Sequence, residues 1–275
     1  MTNTQYTRAS SSSDFVRSAP DATLSLTVAY DGAPFAGFAR QKNLTTVQGQ
    51  LENALSTLFR RSIEVVCAGR TDSGVHAQGQ VVSFDLTSAE LESRTLRSIR
   101  KGVQALVGEG IVIRKVEQRC PGFSARFDAL YRHYRYYICI DETPPLLCRN
   151  TSWFVGGALD VSAMQQAAQH LVGNHDFKSF CTAISARGQN THRTLHEITF
   201  EVETVLGEKM LVINVRGNAF LHSMVRTIVG TLVMVGKHKR TPEWVASVLA
   251  ACDRQAAGEN APARGLVFWE VGYTQ

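Results

Sequence analysis

The chain predicts an α/β (α+β) fold: two ferredoxin-like halves whose mixed, mostly antiparallel sheets join around a central cleft. Three observations carry this reading. Between residues 22 and 118 the alternating and amphipathic stretches follow the order β-α-β-β-α-β. The second half repeats that order approximately, without a sequence motif shared with the first. In "HEITFEVET", Ile198, Phe200 and Val202 alternate with Glu197, Glu201 and Glu203, which is the pattern of a strand with one wet face. The expected division is a polar, Ser-rich tail over residues 1–21, a first half over 22–122 and a second over 123–275.

Taken in order, "ATLSLTVAYDG" (22–32) reads as a strand closing in Asp-Gly. "TTVQGQLENALSTLFRR" reads as a helix with Val47, Leu51, Ala54, Leu55 and Leu58 on one stripe, and Thr45 and Gln48 have capping-box spacing. Strands are expected at 62–68 and 78–86, then one basic helix over 88–106 carrying Arg94, Arg97, Arg100 and Lys101, then the strand "IVIRKVEQ". The second half opens with the strand "YRHYRYYICI" and continues to a helix after Asp160. "HEITFEVET" and "KMLVINVRG" are strands, "AFLHSMVRTIVGTLVMVG" is a helix, Thr241-Pro242 opens another, and "GLVFWEVGY" closes as a strand.

A hydrophobic content of 44% with 19% charged residues is that of an ordinary globular protein, and 275 residues suffice for one large or two modest domains. The charge of +5 favours an acidic partner such as nucleic acid, though weakly. Six cysteines with no C-x-x-C pair exclude a zinc ribbon and a thioredoxin motif, and they read as reduced, mostly buried thiols. No phosphate-cradling glycine motif occurs, so no nucleotide cofactor is expected. His175-Asp176 has no further ligand at metal spacing, and no metal is expected. The N-terminus lacks the apolar stretch of a signal peptide and no long apolar run follows, so a cytoplasmic protein with no membrane contact is expected.

Three constellations could carry chemistry. In "AGRTDSGVHAQG", Asp72 is either a turn former bonded to its own backbone or a reagent with Arg70 two residues away. "SARFDALYRHYRYYI" interleaves Arg126, Arg132 and Arg135 with Phe127, Tyr131, Tyr134, Tyr136 and Tyr137, which suits stacked bases and phosphates or, equally, a half-buried strand with a basic face. By period two, Arg132, Tyr134 and Tyr136 share one face of that strand. "NAFLHSMVRTIVG" sets Arg226 on the helical row of His222 and Gly230. Arg226 is either functional or a solvated surface group.

"GRTDSGVHA" resembles the catalytic loop of the tRNA pseudouridine synthases of the A type. "YDGAPFAGFARQ" with "TVQGQLENAL", "ARFDALYRHYRY", "LVGNHDFKSF", "RGNAFLHSMVRTIVGTL" and "APARGLVFWEVGY" resemble the family's other blocks, in order, over roughly residues 24–273. The resemblance implies a pseudouridine-synthase fold, a homodimer, no cofactor, and isomerisation of uridines in the tRNA anticodon arm, typically at positions 38 to 40. By motif, Asp72 resembles the essential aspartate, Tyr134 the tyrosine against the target base, Arg226 the basic partner of the aspartate, Arg70 the arginine implicated in extruding the nucleotide, and Leu266 the apolar residue near the uracil. Arg126 and the four basic residues from Arg94 to Lys101 are expected to touch RNA.

The isomerisation moves a C1' bond from N1 to C5 without oxidation or reduction, so a carboxylate is the needed tool and a redox partner is not. Two other readings remain open: a ferredoxin-like protein that binds RNA unchanged, and a glycoside hydrolase, which would usually need a second carboxylate.

Overall fold

The computed structural model describes residues 20–182 and 186–274. The Ser-rich tail expected over 1–21 lies outside these, apart from its last two residues.

The first half runs β1 (Ala22–Tyr30), α1 (Val47–Phe59), β2 (Val66–Cys67), β3 (His76–Leu86), α2 (Ser88–Glu92), α3 (Leu96–Leu106) and β4 (Ile111–Arg119). The second runs β5 (Ala129–Cys139), β6 (Trp153–Phe154), α4 (Val161–Gln169), β7 (Gly173–Asp176), β8 (His192–Val205), β9 (Glu208–Gly217), α5 (Met224–Gly236), α6 (Pro242–Ala251) and β10 (Leu266–Tyr273). All ten strands form one sheet, ordered β4-β1-β3-β10-β5-β9-β8-β7, with β2 on β3 and β6 on β5. In the first half the four ferredoxin-like strands lie β4-β1-β3-β2, and in the second β10-β5-β9-β8. Each is the order fourth, first, third, second, so the repetition is one of topology. The joint is β10. Its Val267 and Phe268 pair in parallel with His76 and Ala77 of β3, while its other edge runs antiparallel to β5. Every other pairing except β5 with β6 is antiparallel.

Four local expectations are corrected. Thr46, not Thr45, caps α1: its hydroxyl accepts from Gly49 N. Gln48 instead accepts from Arg40 N and donates to Glu52, so no capping box forms there. The basic stretch 88–106 is two helices, because Thr87 and Thr95 each cap a separate start and Ser93 ends the first. The strand expected at 62–68 pairs only at Val66–Cys67. The helix expected from residue 219 begins at Met224, since Ser223 at φ 61° breaks the helical path before it.

Helix α5 is buried nearly all round, which accounts for its apolar run "VGTLVMVG". It packs on α4, and the segment after α6 closes against its far side. A Cβ on Gly230 would lie 1.8 Å from Glu259 O, so glycine is required for that approach. One hydrophobic core draws residues from both halves, from Leu24 and Leu51 through Tyr136 to Ile228 and Phe268.

Candidate active site

The loop between β2 and β3 is held by its own turn and by the stretch after β1, so the Asp72 carboxylate is not needed to close it. Val75 N donates to Asp72 O at 3.2 Å, closing a turn that passes through Gly74 at φ 77°. The stretch after β1 grips this turn: Phe38 N donates to Thr71 O (3.0 Å), Ser73 Oγ to Phe35 O (3.1 Å), and Gly32 N to His76 Nδ1 (3.1 Å). A Cβ on Gly32 would sit 2.1 Å from Val75 O, so only glycine lets the two loops meet. The backbone of Asp72 forms the turn while its carboxylate points across the cleft. The reading of Asp72 as a side chain bonded to its own backbone is therefore corrected: the turn is closed by its main-chain carbonyl, and among the described residues its carboxylate meets Ser223, Arg226 and His222.

On the far side, Asp72 Oδ2 accepts from Arg226 Nη1 at 3.0 Å and from Ser223 Oγ at 2.8 Å, and His222 Nε2 lies 3.1 Å from Oδ1. Arg226 is aimed by a second bond, from Nε to Ala261 O at 2.8 Å, in the segment that Gly230 admits. Ser223 occupies the N-cap position of α5 but makes no side-chain cap; its left-handed backbone turns the hydroxyl to Asp72 instead. The carboxylate thus lies at a helix N-terminus and beside a guanidinium, two sources of favourable potential. Both members of the pair are about four-fifths buried, at 20% and 18% exposure.

Tyr134 stands between Phe220 and Phe268, each ring centroid 4.9 Å away at nearly right angles, and only 7% of it is exposed. Full stacking of a base on this ring requires one neighbour to move. Burial, with added push from Tyr30 and the Asp72 charge, raises its pKa, so the hydroxyl keeps its proton. Leu266, the first residue of β10, lines the same cleft, as do Arg70 and Arg126. Arg70 is exposed and forms no hydrogen bond or ion pair with the described residues, so the direct partner of Asp72 is Arg226 and not Arg70. Arg126 is exposed and stands over the ring of Phe127.

The structure thus gathers Asp72, Arg226, Tyr134, Arg70, Leu266 and Arg126 around one cleft of about 1040 Å³ at the junction of the halves. Arg94, Arg97, Arg100 and Lys101 are not among its lining. Arg94 donates to Leu58 O and stands over Phe59, while α3 turns Ile99 and Val103 inward and leaves Arg97 and Lys101 in solvent. Among the described lining residues Asp72 is the single carboxylate, facing Arg70, Arg126, Arg132, Arg187, Arg193 and Arg226. The sequence reading missed His222 and Ser223 as partners of Asp72, although it set His222 on the row of Arg226. It set Arg132 among arginines suited to bases and phosphates or to a basic outer face, whereas its buried guanidinium donates to the main-chain oxygens of Ala68, Arg126, Ala129 and Asn218. That clamp joins three segments of the cleft wall, and no sequence pattern marks its acceptors, because they are backbone groups.

Comparison with known proteins bears on what such a cleft is for. The chain is 45% identical over 248 residues to tRNA pseudouridine synthase A of Brevibacillus brevis, covering 90% of this chain and 97% of that one. It is 40% identical over 252 residues to the protein of the same name from Bacillus subtilis, covering 91% and 98%. A chain from a Cbf5-Nop10-Gar1 complex aligns over 79% of this chain and 46% of its own at 11% identity, but its TM-score of 0.37 is too low to bear on fold or function. A family model described as tRNA pseudouridine synthase matches residues 26–128 and 167–274, including the loop of Asp72 and the helix of Arg226. The chain belongs to the tRNA pseudouridine synthase family.

Proposed function

We propose that this family member isomerises uridine to pseudouridine in the anticodon arm of tRNA, at positions 38 to 40, with Asp72 as the essential carboxylate. The observation that carries the reading is a lone carboxylate in a basic cleft, tied to Arg226 at 3.0 Å. Besides Arg132 and Arg226, which are committed to main-chain oxygens and to Asp72, Arg70, Arg126, Arg187 and Arg193 line a groove suited to a phosphate backbone, and one acid stands where a reaction at the sugar or base needs it. An RNA-binding surface gains nothing from a carboxylate among phosphates. A two-carboxylate glycosidase lacks its second acid among the described lining residues.

The chemistry closes without an added reagent. The N1–C1' bond breaks, the uracil turns in place, C5 bonds to C1', and the C5 proton is exchanged for one on N1. The product has the mass of the substrate. The target nucleotide must leave its stack, at a cost on the order of a few kcal/mol, which arginine–phosphate contacts offset. Arg70, exposed at the rim with no described partner, is suited to occupy the space the nucleotide vacates. Leu266 and Tyr134 wall the uracil, and Arg226 holds Asp72 in place. Arg126 contacts RNA within the cleft, and Arg94, Arg97, Arg100 and Lys101 extend the contact beyond it.

We extend the proposal to a homodimer in the cytoplasm and to a division of the chain into halves over 22–122 and 123–275. The resemblance supports the dimer. Among the described residues no helix is long and apolar enough to cross a membrane. Incubating unmodified tRNA with the protein tests the activity: pseudouridine should appear at positions 38 to 40 without a change in mass. Released uracil would indicate a hydrolase, and RNA bound but unaltered would indicate a binding module. Sedimentation in solution tests the dimer.

A further inference from the structure

We propose that Oδ1 of Asp72 is the oxygen presented to the uridine, and that His222 is the positioning residue that holds it toward the cleft. The inference rests on the reading of Asp72 as the essential carboxylate and goes beyond it, because it distinguishes two oxygens that the sequence cannot tell apart.

The two oxygens are not equivalent. Oδ2 accepts two hydrogen bonds, from Ser223 Oγ at 2.8 Å and Arg226 Nη1 at 3.0 Å. A carboxylate oxygen offers about two lone-pair sites, so Oδ2 is saturated. To react, it would first have to break a bond to a donor that is itself fixed, since Arg226 is anchored to Ala261 O and largely buried. Oδ1 has one partner, His222 Nε2 at 3.1 Å, which leaves a lone pair for the substrate. That partner is 55% exposed and itself lines the cleft.

The imidazole needs no positive charge for this role. Thr182 Oγ1 lies 3.1 Å from His222 Nδ1. When the hydroxyl donates to Nδ1, the ring proton resides on Nε2, the nitrogen that lies 3.1 Å from Asp72 Oδ1. The backbone explains how neighbouring residues converge on one carboxylate. Ser223 at φ 61° breaks the helical path, so His222 and Ser223 approach Asp72 from before α5 and Arg226 from within its first turn. A carboxylate held at both ends keeps one rotamer, and a nucleophile or base held to within a fraction of an ångström keeps its rate advantage.

The test is single-turnover conversion of unmodified tRNA by the full chain, with tRNA affinity measured separately. His222→Ala should slow conversion at saturating enzyme by about tenfold or more while affinity stays within about twofold. His222→Gln, whose amide N–H reaches a similar distance, should recover most of the rate. His222→Asn is equally polar but too short, and should be as slow as the alanine variant. A structural role would not separate Gln from Asn. Because His222 is more than half exposed, melting temperatures should match across the set. The proposal is overturned if His222→Ala converts at the unmodified rate, if Gln and Asn behave alike, or if the loss lies in affinity. Asp72→Asn is run alongside: if it retains turnover, the reading of Asp72 itself fails, whatever His222 does.

Discussion

Arg132, Tyr134 and Tyr136 point to one face of β5 and Tyr131, Arg135 and Tyr137 to the other, so the strand carries arginine and tyrosine on both sides. On the cleft face, Arg132 is 8% exposed and its guanidinium is satisfied by main-chain oxygens alone. Burial without a carboxylate lowers its pKa from the ordinary arginine value. On the other face, Arg135 pairs with Glu203 and Glu201 and stacks on Trp269 and Tyr137. Tyr137 there lines a second, mostly apolar cavity of about 550 Å³. The difference shows how the cleft keeps its one acid available. Arg132 directs its donors to main-chain oxygens and forms no ion pair with Asp72, whose guanidinium partner is Arg226, whereas the opposite face uses its arginine on glutamates. Identical residue types thus hold main-chain oxygens on one side and pair with glutamates and aromatic rings on the other.

Substitutions on the cleft face should therefore be costly and those on the other face mild. The largest effect is expected at Asp72. Asp72→Ala and Asp72→Asn should reduce pseudouridine formation to background while tRNA binding stays within about tenfold, roughly 1.4 kcal/mol. Substantial turnover by the alanine variant would remove the chemical distinction between the faces.

Tyr134→Phe comes next. The ring and its contacts with Phe220 and Phe268 survive, so tRNA affinity should hold. Loss of the hydroxyl from the cleft wall should lower single-turnover rates by about 10²-fold. Because the Tyr134 pKa is raised, the phenol remains protonated through the physiological range and above the ordinary tyrosine value, so no alkaline limb of the rate profile should arise from it. A phenylalanine variant at full rate would reduce Tyr134 to packing.

Arg132→Met tests the scaffold. It leaves the oxygens of Ala68, Arg126, Ala129 and Asn218 without their donor, and should cost about 2 kcal/mol or more, read as a lower midpoint in urea. A variant of unchanged stability would mean that the clamp is dispensable.

A smaller effect is expected outside the strand. Replacing Arg94, Arg97, Arg100 and Lys101 by alanine should weaken tRNA binding and flatten its salt dependence, by up to about one unit of slope per lost phosphate contact. An unchanged slope would assign these residues to solvent, in keeping with their place outside the cleft lining. The smallest effect belongs to the reverse face: Tyr137→Phe should leave turnover and affinity within about twofold. A defect there larger than that of Tyr134→Phe would reverse the assignment of the two faces.

The repeating order of elements and the division of β5 into two faces were legible because each is a short-range property, whereas the inward face and the candidate site residues came from the family resemblance. Period-two alternation fixes which residues share a face, and the "GRTDSGVHA" and "FLHSMVRTIVG" blocks carry their family's pattern in contiguous residues. Element edges were less legible: a single left-handed residue, Ser223, decided where α5 begins, and two threonines split the basic helix.

What only the tertiary structure decided is the meeting of groups distant in the chain. Asp72 and Arg226 are 154 residues apart, and the joint that brings them together is the insertion of β10 between β3 and β5. The asymmetry of the Asp72 oxygens follows from that meeting, while the place of the α3 basic residues outside the cleft is set by the packing of α3 on α1 and β4. A sequence records which side chains are available and how each segment prefers to coil. Which donor reaches which lone pair is set by long-range packing, by glycines such as Gly32 and Gly230 that admit one backbone against another, and by backbone acceptors that have no residue identity to read.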